Sequence, residues 1–181
     1  QMTASGADRR IFLIGMMGVG KSTIGRLLAR QTGFEFIDCD HELEARVGVT
    51  IATLFEVEGE ESFRRRESAL LDELTQRPGV VLGTGGGAVL NADNREWLRA
   101  RGLVVYLHAS VDEILRRTQT DRSRPLLQAD DRRARIEQLV TERRALYEAT
   151  AHVAFHSGAI NPRKLAARIL EDPDVRARIG L

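Results

Sequence analysis

The sequence predicts an α/β protein with three layers, α/β/α, around a central five-stranded parallel sheet. Strand-like apolar runs alternate with helical patterns along the chain, and two of the runs, residues 80–82 and 103–107, are almost continuously apolar. A strand buried on both faces needs such a run, and successive parallel strands need helical crossovers that cover the sheet. In this kind of sheet, ligands bind beyond the carboxyl ends of the strands.

The first half of the chain supplies three of the five predicted strands. Residues 11–15 form an apolar run that leads through a glycine-rich loop into a helical pattern over residues 23–31. The second strand, residues 35–38, is short and ends in carboxylates, and the third, residues 80–84, ends in glycines. Helical spacing over residues 62–76 predicts a helix between these two strands.

The second half supplies the other two strands, residues 103–107 and 152–155. A helix is predicted over residues 94–101, and two amphipathic helices, residues 111–118 and 132–149, connect the fourth strand to the fifth. The apolar residues expected on the inner faces of these two helices are Ile114, Leu115, Ile136, Leu139, Val140 and Leu146. The tail, residues 172–181, has no clear role in this pattern, and we expect it to be loosely held.

The loop after the first strand carries the most informative motif of the chain. Residues 15–23 fit the phosphate-loop pattern G-x-x-x-x-G-K-[ST], and a predicted strand and helix flank them as the motif requires. The glycines allow several N–H groups to converge on one point, where the helix adds the positive end of its dipole. Lys21 can then reach the outer phosphates of a nucleotide, and the Ser22 hydroxyl can ligate Mg²⁺. The alternative is a glycine-rich turn that binds nothing, and the complete motif in its proper context argues against it.

The length of 181 residues predicts one domain, residues 1–181. Two segments of this domain depart from the simple alternation of strands and helices. Residues 40–61 contain short helical patterns where one crossover helix would suffice, and we predict an acceptor-binding insert at about residues 38–67. Residues 118–131 are polar and poor in core residues, which suits a mobile lid over the nucleotide. An ordinary solvated loop is the alternative for this second segment.

Asp38 and Asp40 stand at the end of the second predicted strand. Side chains two residues apart on a strand share a face, so both carboxylates are expected to point into the cleft. Phosphoryl transfer needs a Mg²⁺ ligand and a group that orients and deprotonates the acceptor hydroxyl, and these two residues could divide the tasks. The alternative is that Asp40 only caps the helix that follows it.

Residues 83–89 contain three consecutive glycines after the third strand. Glycine disfavours both helix and strand, so this run indicates close approach of the backbone to a ligand, with a plain flexible turn as the alternative. Many phosphate-loop proteins have an acidic residue at the end of this strand, whereas this chain has Thr84.

Arginines supply nearly all of the positive charge, and several of them lie near the predicted cleft. Residues 64–66 are three consecutive arginines, which would usually form a solvated helix face with i,i+4 partners such as Asp72 or Glu73. One of the three could turn inward to hold an anionic acceptor, and the spacing does not say which. An arginine of the lid could stabilise the charge that develops on the transferring phosphoryl group. The other arginines considered near the cleft are Arg117, Arg122, Arg124, Arg143 and Arg144.

Composition narrows the function classes. The formal net charge of +1 gives no strong electrostatic field, which argues against a nucleic-acid or membrane partner. Cys39 is the only cysteine, so an intramolecular disulfide and a cysteine-based metal site are excluded, and the four histidines lack metal-binding spacing. No apolar run could span a membrane, and residues 1–9 lack the apolar core of a signal peptide. We therefore expect a cytoplasmic protein.

Together these motifs resemble the shikimate kinase family, a group of phosphate-loop enzymes with the nucleoside-monophosphate-kinase-like fold. The resemblance runs from about residue 11 to 170 and keeps the order of the motifs. The phosphate loop is unspecific alone, but the glycine triplet, the lid motif Arg-Pro-Leu-Leu at 124–127 and the Arg-x-x-Leu-Tyr motif at 143–147 are specific together. The element Phe63-Arg64, with Glu67 one turn later, resembles the family's substrate arginine.

The resemblance implies an activity and a set of site residues. The activity is transfer of a phosphoryl group from ATP to shikimate with Mg²⁺. The resemblance also implies a monomer. Ser22 would ligate the metal and Asp38 would support it through water. Asp40 would be the base that accepts the proton of the acceptor hydroxyl. Lys21 and Arg124 would contact the transferring phosphate, and Arg117 would lie along the adenine. The remaining ATP-binding residues implied are Gly18, Val19, Gly20 and Thr23. The remaining substrate-binding residues implied are Arg64, Gly85, Gly86, Gly87, Arg143, Phe55 and Phe63. One departure is Ile160, because some relatives have an arginine against the adenine at this position.

Three other functions stay open. A different small-molecule kinase of the same fold, such as a gluconate kinase, would be distinguished by a panel of acceptors. A nucleotide-dependent switch or binding module would show no stimulation by an acceptor, and the chain lacks the Asn-Lys-x-Asp motif of guanine-reading switches. A nucleic-acid 5′-kinase would need a basic groove, which the near-zero net charge argues against.

Overall fold

A computed structural model gives the structure of the protein and describes residues 9–119 and 131–181. The strands are β1 (Arg10–Ile14), β2 (Glu35–Asp38), β3 (Val80–Gly83), β4 (Leu103–His108) and β5 (Val153–His156). The helices are α1 (Lys21–Thr32), α2 (Cys39–Val47), α3 (Ile51–Leu74), α4 (Ala92–Arg101), α5 (Val111–Thr118), α6 (Arg132–Thr150), α7 (Pro162–Glu171) and α8 (Pro173–Ile179). A short 3₁₀ turn, Ala88–Leu90, follows β3.

The five strands form one parallel sheet in the order β2-β3-β1-β4-β5, which confirms the predicted fold class. β1 lies at the centre, and its residues from Ile11 to Ile14 are fully buried, as an apolar strand between two neighbours requires. Because all strands run in the same direction, the phosphate loop, the end of β2 and the glycine triplet meet at one edge of the sheet. Among the described residues, no helix is long and apolar enough to cross a membrane.

The predicted insert is built from α2 and the first part of α3. α3 begins at Ile51, eleven residues before the predicted helix over residues 62–76, and it continues through a break at Gly59. Gly59 has φ +84° and ψ 169°, a backbone conformation that is essentially restricted to glycine. The part of α3 after Gly59 corresponds to the helix predicted over residues 62–76, and the part before it is one of the short helical patterns predicted within residues 40–61.

The tail is not loosely held, which corrects the expectation for residues 172–181. Asp172 caps α8 by accepting hydrogen bonds from the backbone N–H groups of Asp174 and Val175, and Pro173 occupies the first turn. Val175 and Ile179 are buried against the core. An Asp-Pro pair followed by two apolar residues four positions apart is the helix signal that the sequence analysis missed.

Candidate active site

The phosphate loop connects β1 to α1 in the predicted geometry. Gly15, Gly18 and Gly20 all have positive φ angles, which allows the chain to turn tightly around a small cavity of about 170 Å³. α1 begins at Lys21 without a side-chain cap, so its first N–H groups are not satisfied by a capping side chain. The Lys21 ammonium group donates back to the carbonyl oxygens of Gly15 and Met16, which holds the cation over the loop.

Asp38 and Asp40 both line this cavity, but not for the reason that the sequence suggested. β2 ends at Asp38, and Asp40 lies in the first turn of α2, so the two side chains do not share the face of a strand. Asp38, not Asp40, is the helix cap: its Oδ1 accepts from the N–H groups of Asp40 and His41. Its other oxygen, Oδ2, accepts a 2.8 Å hydrogen bond from the Ser22 hydroxyl.

A second cavity of about 230 Å³ opens directly beside the first. It brings together all the residues that were assigned to the acceptor: Asp40, Phe55, Phe63, Arg64, Gly85, Gly86, Gly87 and Arg143. The rings of Phe55 and Phe63, which come from opposite sides of the Gly59 kink, are 4.9 Å apart and form an apolar wall. The other lining residues, which the sequence analysis did not assign to acceptor binding, are Met17, Asp38, His41, Glu44, Ile51 and Glu67.

Arg64 is the member of the arginine run that turns inward. Its side chain is 20% exposed, whereas that of Arg65 is 67% exposed, and it forms a 2.9 Å ion pair with Glu67. The predicted partners were wrong: Arg65 pairs with Glu61 and Arg66 with Glu58. Asp72 and Glu73 instead pair with Arg101 and Arg46.

The acceptor cavity contains charged atoms that are buried and lack partners among the described residues. These atoms are Arg64 Nε, Glu67 Oε2, and Arg143 Nε and Nη1. Arg143 is only 2% exposed, and it forms no ion pair with any residue of the described ranges. Burial raises the pKa of Glu67, and the Asp40 carboxylate raises it further, while the Arg64 guanidinium opposes the change. An anionic ligand with hydroxyl groups would satisfy these donors and acceptors.

The glycine triplet is explained by close contacts, because none of its members has a positive φ angle. A Cβ atom on Gly85 would lie 2.7 Å from Glu67 Oε2 and 2.8 Å from Asp40 Oδ1. A Cβ atom on Gly87 would overlap the Arg64 guanidinium. The run of glycines therefore lets the backbone pass between charged side chains of the cavity. Thr84, at the position where many phosphate-loop proteins have an acidic residue, donates its hydroxyl to the Leu13 carbonyl and ties β3 to β1.

Arg117 lies on the other side of the phosphate loop. Its guanidinium donates to the carbonyl oxygens of Gly18 and Ser157, at 3.1 and 2.8 Å. A cavity of about 320 Å³ adjoins it and is lined also by Val19, Gly20, Thr23, Pro162 and Leu165. Ile160, the point of departure from some relatives, packs against the core. Arg122, Arg124 and most of the predicted lid lie outside the described residues.

Comparisons with known proteins agree with this geometry. The family model described as "Shikimate kinase" matches residues 17–173. The chain is 55% identical to the shikimate kinase of Bordetella avium, over 90% of this chain and 78% of that protein. It is 53% identical to the shikimate kinase of Halorhodospira halophila, over 90% of this chain and 92% of that protein.

Solved structures give the same result. Shikimate kinase from Acinetobacter baumannii in complex with shikimate superposes with a TM-score of 0.89 and 47% identity, over 90% of this chain and 91% of that chain. A gluconokinase from Sinorhizobium meliloti has a TM-score of 0.55 at 16% identity, covering 96% of this chain and 93% of that chain, a likeness that shows the fold alone. With its motifs, its cavity and these relatives in agreement, the chain belongs to the shikimate kinase family.

Proposed function

We propose that this chain transfers the γ-phosphoryl group of ATP to the 3-hydroxyl of shikimate, giving shikimate 3-phosphate and ADP, a step towards chorismate and the aromatic amino acids. One observation carries the assignment of the site. The phosphate-loop cavity and the acceptor cavity share four lining residues: Met17, Asp38, Asp40 and Gly86. A nucleotide phosphate in the first cavity and a hydroxyl in the second would therefore meet beside Asp40.

The charges of the acceptor cavity suit a small polyol carboxylate. Arg143 is a buried cation without an ion-pair partner in the described ranges, and a buried charge is stable only when it is paired. Arg64 shares its charge with Glu67 but keeps Nε unsatisfied. The two guanidinium groups would bind the carboxylate, and Asp40 and Gly86 would contact the ring hydroxyls and the acid group.

The residues at the base of the phosphate loop fit Mg²⁺. The Ser22 hydroxyl and Asp38 Oδ2 are hard oxygen donors 2.8 Å apart, and the other Asp38 oxygen is already occupied by the α2 backbone. Two protein oxygens suit a cation that keeps several waters and binds nucleotide phosphates. Ser22 would ligate the metal and Asp38 would hold it through water; when bound, the metal neutralises charge on the phosphates.

The protein groups divide the remaining tasks. Asp40 orients the acceptor hydroxyl and accepts its proton, while Lys21 and the loop N–H groups bind the phosphates. Arg117 lies along the adenine beside Val19 and Pro162. Residues 38–67 serve as the acceptor insert of a single domain, and residues 118–131 serve as a lid that brings Arg124 to the transferring phosphate and excludes water. The monomeric state, the cytoplasmic location and the absence of nucleic-acid and membrane partners stay predictions.

Release of ADP from MgATP tests the proposal directly. We expect strong stimulation by shikimate and none by gluconate or a nucleoside monophosphate. Activity with another acceptor and none with shikimate would keep the phosphate-loop chemistry but overturn the assignment of the pocket. A slow release of ADP that no acceptor changes would instead support a nucleotide-binding module.

A further inference from the structure

The backbone carbonyl groups from Gly85 to Val89 are all hydrogen bonded. The Gly85 and Gly87 oxygens accept from backbone N–H groups three residues later, at 3.1 Å each. The Gly86 oxygen accepts a 2.5 Å hydrogen bond from the Tyr147 hydroxyl. Beyond the triplet, Asn94 Nδ2 donates to Ala88 and Arg95 Nη1 donates to Val89, at 2.9 and 2.7 Å.

The backbone N–H groups of the same triplet, in contrast to its carbonyl groups, lack hydrogen-bond partners among the described residues. Those of Gly85, Gly86 and Gly87 form no hydrogen bond with any residue that the structure describes. Gly85 and Gly87 are buried, and buried N–H groups in folded proteins are nearly always paired. All three residues line the acceptor cavity, so a ligand there is the partner that remains.

Peptide geometry connects the two observations. In a trans peptide the carbonyl of one residue and the N–H of the next point in opposite directions, and the described chain contains no cis bond. The hydroxyl that holds the Gly86 oxygen on the α6 side therefore also turns the Gly87 N–H away from α6. Rotating this peptide would break the Tyr147 hydrogen bond.

Tyr147 is itself held firmly. It is 1% exposed, it stacks on Tyr106 with ring centroids 5.1 Å apart, and it lies one helical turn after Arg143 on α6. Burial raises the pKa of its hydroxyl to about 12, so the group stays protonated and remains a donor near neutral pH. One face of α6 thus supplies both an arginine for the cavity and a donor for the glycine backbone.

We propose that Tyr147 is a positioning residue for the acceptor: by holding the Gly86 carbonyl, it fixes the peptide plane that presents the Gly87 N–H to the acceptor carboxylate. This inference rests on the proposed function, because the acceptor is taken to be shikimate. Tyr147 does not line the acceptor cavity, and its hydroxyl interacts with two groups that do, the Gly86 carbonyl and the Arg143 guanidinium. The glycine amide signals report on the first of these contacts separately from the second.

The test compares two substitutions of the same kind within one stacked pair. Tyr147→Phe removes the donor and keeps the ring, while Tyr106→Phe is the matched control, because the Tyr106 hydroxyl has no hydrogen bond to a described residue. We expect Tyr147→Phe to raise the KM for shikimate about tenfold, as the loss of one well-placed hydrogen bond would. The KM for MgATP should change less than about twofold, because the Tyr147 hydroxyl forms no hydrogen bond with the described residues of the phosphate loop. Tyr106→Phe should leave both values unchanged.

Glycine-selective ¹⁵N labelling gives a readout that does not depend on turnover. We expect Tyr147→Phe to shift the amide signals of Gly86 and Gly87 in the free protein and to reduce their response to shikimate, with melting temperature as the check on folding. Unchanged signals together with an unchanged shikimate KM would overturn the inference, as would equal losses in Tyr106→Phe. If the wild-type protein failed to bind shikimate, the proposed function would fall, and the free-protein glycine shifts would still decide whether Tyr147 sets the peptide plane.

Discussion

Arg64 illustrates how one side chain in a charged run can acquire a different role from its neighbours. Arg64, Arg65 and Arg66 all pair with glutamates, but only Arg64 also faces the acceptor cavity. Its planar group contacts Glu67 through Nη1 and leaves Nε buried and unsatisfied. A lysine could keep the charge but could not offer donors in this planar arrangement.

Arg64→Lys is therefore expected to weaken shikimate binding by about ten- to a hundredfold, the loss of one charge-assisted hydrogen bond. Binding of MgATP should stay within about twofold, since Arg64 lies away from the phosphate loop. Titration calorimetry with each ligand measures both values. Arg65→Lys, at the exposed neighbouring position, is the control and should change neither. Equal losses for the two ligands would contradict a carboxylate-binding role.

The proposed role of Asp40 as a base can be tested separately from its interaction with the dipole of α2. Asp40 lies in the first turn of α2, and Asp93 lies in the first turn of α4, so both carboxylates interact with a helix dipole. Asp40→Asn should reduce kcat on the order of 10²–10⁴-fold, the range for loss of a general base. Asp93→Asn loses the same dipole interaction and should keep kcat. A folded Asp40→Asn protein with a normal rate would remove Asp40 from the chemistry.

Glu67 and Tyr147 both stand inside motifs that the sequence shows, but their own contacts could not be predicted at the scale of single residues. The sequence identified Asp40, Arg64 and Arg143 through motifs, because those motifs carry their own spacing. A glutamate three residues after an arginine looks like any surface helix pair, and only the tertiary packing makes Glu67 buried. The hydrogen bond from Tyr147 to Gly86 spans 61 positions, and no local pattern encodes it.

At the scale of elements, α3 connects the predicted acceptor insert to the rest of the domain through its kink. Phe55 precedes Gly59 and Phe63 and Arg64 follow it, so the break sets how the two walls of the acceptor cavity face each other. Glu58 reaches across the break to Arg66 through two 3.1 Å hydrogen bonds. The kink requires a conformation that other residues adopt only with strain.

Gly59→Ala should consequently cost about 1–3 kcal/mol of unfolding free energy and raise the KM for shikimate. The cost is conformational, because a Cβ at this position would meet nothing within 4 Å. Urea denaturation and steady-state kinetics measure the two effects.

Gly48→Ala is the matched control for this substitution. Gly48 also has a positive φ of 79° and open space around it, but it ends α2 outside the acceptor cavity. The Gly48→Ala protein should lose about 1 kcal/mol of unfolding free energy and keep the wild-type KM for shikimate. If both variants raised the KM equally, the kink would have no specific role in shaping the cavity.

At the scale of the whole molecule, the parallel arrangement of the sheet explains why much of the candidate site could be predicted from the sequence. Parallel strands bring their carboxyl ends to one edge, so three motifs that are far apart in sequence were expected together and are found together. The short elements at the boundaries were harder, since α2 and α8 are stabilised by caps and by packing more than by a long apolar pattern. The insert and the tail were therefore the parts that the sequence described least well.

The joint between β4 and β5 makes the stability of the whole molecule depend on pH. The backbone N–H of His152 donates to the Val104 carbonyl, and its Nδ1 accepts from the Val104 N–H, each at 2.9 Å, so Nδ1 must be unprotonated. Burial, together with the nearby Arg178 and Arg99 guanidinium groups, lowers the pKa of His152 to about 4.

Because the folded pKa lies below the unfolded value of about 6.5, this interaction stabilises the protein fully above pH ~6.5, and its contribution is lost as the pH falls towards ~4. His152 is partly exposed, so solvent screening reduces the contribution to about 1–2 kcal/mol. In His152→Asn the amide oxygen can still accept from Val104 but does not titrate. Urea denaturation at pH 7 and pH 4.5 should show the wild-type protein losing about 1–2 kcal/mol more than this variant. Parallel losses in the two proteins would mean that His152 is not the group responsible, and that the carboxylates shared by both proteins dominate their acid sensitivity.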